Sequence, residues 1–217
     1  QVFEYFDVKK STLLGHSLGG HIVCWFAALY PDLVEKLIIV DGFGPPRSRE
    51  GDDQQVFLQR HRQQVAMLKS LNSAGRSMSG FAEALNRFQQ HNSKLDHVIA
   101  SRIVEEGIRE LEGGRVTWRW DPRVDMVWST FSHTDSEGLY QQIRCPTLVI
   151  TGSEGLAYWS FKNNRLKDEQ AWYKSELNRR VTLFEDATHV EINGAGHMVQ
   201  FDKPSELIAT VSDFLQA

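Results

Sequence analysis

Two short stretches carry residue types that could do nucleophilic chemistry. Gly15-His16-Ser17-Leu18-Gly19 sets a serine between glycines, and Gly194-Ala195-Gly196-His197 sets a histidine on a turn near the other end of the 217-residue chain. A serine hydroxyl is a weak nucleophile until a base takes its proton, and imidazole is the side chain suited to that near neutral pH. Gly-x-Ser-x-Gly between a strand and a helix puts the serine on a turn so sharp that its backbone is strained and its hydroxyl stands clear of the sheet edge. Gly15 and Gly19 are expected there because a Cβ at either would strike neighbouring backbone. The helix begins at the serine, so its first N–H groups and its dipole face the reacting oxygen. The N–H of Leu18 is then the candidate oxyanion donor, and His16 is a candidate substrate contact that also turns partly into the protein. Of the eight histidines, His21 falls in the following helix, His189 at a strand entrance, and His61, His91, His97 and His133 on the surface of an inserted segment.

The elements that must position these residues follow from hydropathy. Ser11–Leu14, Leu37–Val40, Pro146–Ile150 and His189–Ile192 are short apolar runs, each ending at a glycine or an acidic turn, and they read as buried strands. Residues 18–30 are apolar nearly all round and read as a helix buried in the core, stopped by Pro31. Pro204 and Ser205 open a last amphipathic helix. Apolar strands alternating with helices imply an α/β class with a parallel, doubly wound sheet, whose strand carboxyl ends gather loops from distant parts of the chain on one edge. Ser17 and His197 can meet there.

The sequence divides into residues 1–44 around the serine, a charged, helically periodic insertion at 45–140 without a convincing strand, and residues 141–217 carrying His197. The insertion reads as a helical lid ending in an aromatic stretch, "GGRVTWRWDPRVD". Trp118, Trp120, Trp128, Phe131, Met67 and Phe81 are its candidate pocket residues, with Trp120 and Trp128 foremost.

Composition excludes several classes. A net charge of −4 argues against nucleic acid, which usually wants a basic face. The longest apolar runs are too short to span a bilayer. Cys24 and Cys145 are too few for a disulfide framework and read as buried, reduced core residues. A cytoplasmic location fits that usage.

"GHSLGG", the late "GAGHMVQFDKP", the insertion and its closing "WRWDP" together resemble the α/β-hydrolase family, most of all its serine hydrolase-like (Kraken-type) and lipase/esterase-like members. The resemblance implies a Ser–acid–His triad in that chain order, and hydrolysis through an acyl-enzyme without metal or organic cofactor. The sequence departs from the family pattern in two places. The family sets an aspartate in a Gly-x-x-Asp turn after the third strand seen here. This chain reads Gly152-Ser153-Glu154-Gly155, with Gly155 in the aspartate's place. Glu154, one position early, and Asp41, on the turn after the second strand, both remain candidate acids. The family also has strands before the serine strand, so an amino-terminal segment or another chain is expected against it.

The resemblance and the aromatic lid imply a carboxylic ester hydrolase acting on small to medium apolar substrates. The same triad also suits hydrolysis of a carbon–carbon bond in a diketone, and the displaced acid suits a catalytically weak ligand-binding member.

Overall fold

The structure is a computed structural model. It describes residues 1–47, 58, 61–62, 65–66, 77–93, 95–121, 124, 127, 131–162 and 166–217. The chain forms two units, Gln1–Gly51 with Ser132–Ala217, and Asp52–Phe131.

In the first unit the four apolar runs become one parallel sheet. Its strands are β1 (Ser11–His16), β2 (Val34–Val40), β5 (Thr147–Gly152) and β6 (Ala187–Ile192), in the spatial order β1-β2-β5-β6. The register pairs His16 with Val40, Val40 with Ile150, and Gly152 with Ile192, so the four carboxyl ends lie on one edge. β2 and β5 are central and buried along nearly their whole length, which is why they read as continuous aliphatic runs. The helices of this unit are α1 (Val2–Tyr5), α2 (Leu18–Leu29), α5 (His133–Tyr140), α6 (Leu156–Lys162), α7 (Gln170–Val181), α8 (Val199–Asp202) and α9 (Pro204–Gln216). One core cluster joins Cys24, Leu37, Ile39, Val149, Tyr140, Trp159 and Tyr173; a second joins Ile38, Val40, Leu148, Ile150 and Val199. Alternate residues of β2 feed different clusters, as the pleat requires.

The second unit holds α3 (Phe81–His91) and α4 (His97–Gly107), with Asp96 capping α4 by accepting from the Val98 and Ile99 N–H groups. It also holds an antiparallel hairpin, β3 (Ile108–Glu110) with β4 (Val116–Trp118). This corrects the expectation of an insertion without strands. The hairpin turns through Gly113 and Gly114, both at positive φ, and its three-residue strands are too short to show a period.

Three further expectations change. α2 is not buried all round: Ile22, Trp25 and Leu29 are exposed along one stripe, while Gly20, His21, Cys24 and Ala27 are buried. His133 is not on a lid surface. It is buried in the first unit, where its Nε2 donates to the Pro45 carbonyl at 3.2 Å. Cys24 and Cys145 are both free thiols, but Cys145 is only half-buried.

Candidate active site

Ser17 sits between β1 and α2 with φ 52° and ψ −119°, a conformation that a non-glycine residue adopts only when its surroundings enforce it. The enforcement is visible. The Ser17 N–H donates to the Val40 carbonyl of β2 at 2.9 Å. A Cβ on Gly15 would lie 2.3 Å from the Gly19 carbonyl oxygen, so the strand can pass the helix only as glycine. The second required glycine is not Gly19, whose Cβ would meet nothing within 4 Å. It is Gly20, whose Cβ would come within 2.7 Å of the Gly42 Cα, and the reverse holds for Gly42. This mutual approach of bare backbones presses the turn after β2 onto the first turn of α2. It brings Asp41 beside Ser17.

Asp41 also has a positive φ, 43°, and its N–H donates to the Ile150 carbonyl at 2.7 Å. The segment that follows it is tied down over a few residues. Buried Arg180 on α7 donates from Nη1 to the Phe43 carbonyl at 3.1 Å and from Nη2 to the Pro45 carbonyl at 3.0 Å. Its Nε donates to Glu176 at 2.9 Å, so the buried charge is paired. Burial works against the Glu176 charge, but hydrogen bonds from Arg179 and Arg180 outweigh it and hold that carboxyl below the usual range. Tyr140 adds a hydroxyl to the Phe43 carbonyl at 3.3 Å.

His197 arrives on the loop after β6. Gly196 N–H donates to Asp202 Oδ2 at 2.7 Å, Glu154 N–H to the Ala195 carbonyl at 2.8 Å, and Gly194 N–H to Ser153 Oγ at 2.9 Å. His16 Nε2 donates to the carbonyl of His197 itself at 2.8 Å. The half-buried His16 ring therefore ties the serine turn to the histidine loop. Burial holds it below the ordinary histidine pKa, although its bond to that carbonyl works the other way.

The result is one line of hydrogen bonds. Asp41 Oδ2 lies 2.5 Å from His197 Nδ1, and His197 Nε2 lies 2.8 Å from Ser17 Oγ. A carboxylate can only accept, so Nδ1 carries the proton and Nε2 is left as the acceptor for the serine hydroxyl. That tautomer can act as a base toward Ser17. The carboxylate beside His197 is Asp41, whereas Glu154 lies on the neighbouring turn after β5. A Cβ on Gly155 would lie 3.3 Å from Asp41 Oδ1 and 3.3 Å from the Tyr173 hydroxyl. Burial, then the nearby Asp41 charge, pushes the Tyr173 pKa up, so it remains a neutral hydroxyl. Leu18 opens α2, and its N–H belongs to the first-turn groups that have no partner within the helix.

Sequence reasoning missed several supporting residues. Tyr158 stacks flat on His197, Asp202 braces the histidine loop, and Arg180 clamps the segment after the acid. Only Asp202 had a nearby signal, because it lies in the same "GHMVQFDKP" stretch as His197. Trp120 is 57% exposed and sets its ring edge against Trp118 within the second unit. Trp128 and Met67 lie outside the described residues. Among the described residues no group of three His, Cys, Asp or Glu side chains could hold a metal ion, and no helix is long and apolar enough to cross a membrane.

Residues 1–204 match the family described as the alpha/beta hydrolase fold. A serine hydrolase-like protein of Danio rerio is 26% identical over 217 residues, covering 100% of this chain and 64% of its own length. A crystal structure of a novel esterase from Mycobacterium tuberculosis superposes with a TM-score of 0.63 at 26% identity, over 100% of this chain and 64% of that one. The thioesterase domain from the curacin biosynthetic pathway shares the fold, with a TM-score of 0.72 at 16% identity over 97% of this chain and 69% of that one. The chain spans about two-thirds of the length of the curated relatives it matches.

Proposed function

Because the chain belongs to the α/β-hydrolase family, we propose that it is a serine hydrolase acting on carboxylic esters of small to medium apolar substrates. The observation that carries this reading is the Asp41–His197–Ser17 line, with distances of 2.5 and 2.8 Å. Ser17 Oγ attacks the ester carbonyl as its proton passes to His197 Nε2. Asp41 holds the ring in place and balances the imidazolium that forms. The Leu18 N–H and the amino-terminal end of α2 receive the developing oxyanion, and one such donor is worth about 3 kcal/mol of barrier. His197 then gives its proton to the leaving alcohol. Water, deprotonated by the same histidine, releases the acyl group from Ser17. The esterase name of the Mycobacterium tuberculosis relative supports this chemistry.

The β1 edge enters the same proposal. Among the described strands β1 pairs only with β2, and Leu14 is 53% exposed. An apolar edge of this kind is a template for another strand. We expect one to pair there, from the same protein or from a second chain, and to complete the wall around Ser17.

Nitrophenyl esters of increasing acyl length test the function. The expected result is turnover with short and medium chains that disappears in Ser17→Ala. Turnover equal in Ser17→Ala and the unaltered protein would overturn it.

A further inference from the structure

Tyr158 covers one face of the His197 imidazole. The two ring centroids are 3.9 Å apart with an interplanar angle of 17°, a flat stack. Trp159 meets the same imidazole edge-on at 6.1 Å and 64°. Neither ring is placed by chance contact. The Tyr158 N–H donates to the Gly155 carbonyl at 3.3 Å, so α6 grows directly out of the turn after β5. Trp159 belongs to the main core cluster, and Tyr158 packs against that cluster.

We propose that Tyr158 is a positioning residue for the catalytic base, holding the His197 ring plane and favouring its imidazolium form through its π face. The proposal rests on the serine-hydrolase reading for its catalytic consequence. When the Ser17 Oγ–H bond breaks and the His197 Nε2–H bond forms, the imidazole gains a positive charge. Asp41 meets that charge in the ring plane, and the negative face of the Tyr158 ring meets it from above. A stack at 3.9 Å also blocks the ring rotation that would break the 2.8 Å contact to Ser17. The other titratable groups facing the imidazole are Asp41 from the turn after β2 and His16 from β1, whose ring is 5.1 Å away; Ser17 from the elbow also faces it. The Tyr173 hydroxyl approaches from α7 on the Asp41 side. None of these is altered by substitution at position 158.

The test is a titration of the His197 ring by nitrogen NMR in the intact protein, with Tyr158→Phe, Tyr158→Leu and ring-fluorinated phenylalanines at position 158. Tyr158→Phe keeps the face and is expected to titrate as the unaltered protein does. Tyr158→Leu is expected to lower the midpoint by about half a pH unit to one unit, and added fluorines to lower it stepwise as the face loses negative potential. The acid limb of the kcat/KM profile should move with the midpoint, and kcat of Tyr158→Leu should fall about 3- to 10-fold. A midpoint unchanged in Tyr158→Leu, or flat across the fluorinated series, would overturn the proposal, because packing alone does not follow ring electronics. The titration needs no substrate, so it decides this point separately from ester turnover.

Discussion

The turns after β2 and β5 are neighbours at the same edge of the sheet, since Val40 pairs with Ile150. They are built for opposite purposes. The turn after β2 presents a carboxylate: Asp41 is 6% exposed, has φ 43° and points Oδ2 at His197. The turn after β5 withdraws one: Gly155 spares Asp41 Oδ1 a side-chain contact that would lie at 3.3 Å, and Glu154 contributes its N–H to the histidine loop. An acid on one turn and a glycine on the other form a matched pair, because a side chain at position 155 would meet the Asp41 carboxylate that bonds His197. Two carboxylates there would repel each other, and one would be left protonated.

Breaking the pair at Asp41 should have the largest effect. Asp41→Asn is expected to lower kcat about 10⁴-fold with little change in stability, read by ester turnover alongside thermal melting. Moving the acid comes next. In an Asp41→Ala background, which removes the Oδ1 that a side chain at 155 would meet, Gly155→Asp is expected to offer His197 a second carboxylate and to restore about 10- to 100-fold of the lost rate. No recovery would mean that the two turns are not equivalent seats. Gly155→Ala alone should lower kcat about 10-fold by crowding Asp41 Oδ1 off its line, since small displacements of catalytic groups are costly. Glu154→Gln should change kcat less than about 2-fold, because its side chain has no assigned part in the proton relay. A large loss there would reverse the comparison.

The parts of this arrangement that were legible in the sequence are the locally encoded ones. Ser17 and His197 each end a short apolar run with glycines, so strand, turn and side chain are read in one stretch. The choice of acid could not be read that way. Asp41 and Glu154 both follow a strand of the same sheet, and what separates them is which carboxylate reaches His197 and a tight approach at Gly155 that a side chain would crowd. The glycines show the same limit. The five-residue pattern points to Gly19, while the contact that matters joins Gly20 to Gly42 across two elements. Gly20→Ala should therefore cost about 1–3 kcal/mol by overpacking, and Gly19→Ala should not, as urea melts would show. Arg180 meets Phe43 137 residues away in sequence, and nothing in "ELNRRV" distinguishes it from Arg179 beside it. The sequence places His133 on the surface of the insertion, yet the structure buries it with its Nε2 donating to the Pro45 carbonyl. Tyr158 and Trp159 look like core aromatics, and only the ring geometry connects them to His197.

The most direct measurement is fluorophosphonate labelling of the intact protein followed by peptide mass mapping, in the unaltered form and in Asp41→Asn and Glu154→Gln. The expected result is a single label on Ser17, formed at an undiminished rate in Glu154→Gln and slowed by orders of magnitude in Asp41→Asn. No label on Ser17, or a label slowed by Glu154→Gln and indifferent to Asp41→Asn, would contradict the Asp41–His197–Ser17 assignment.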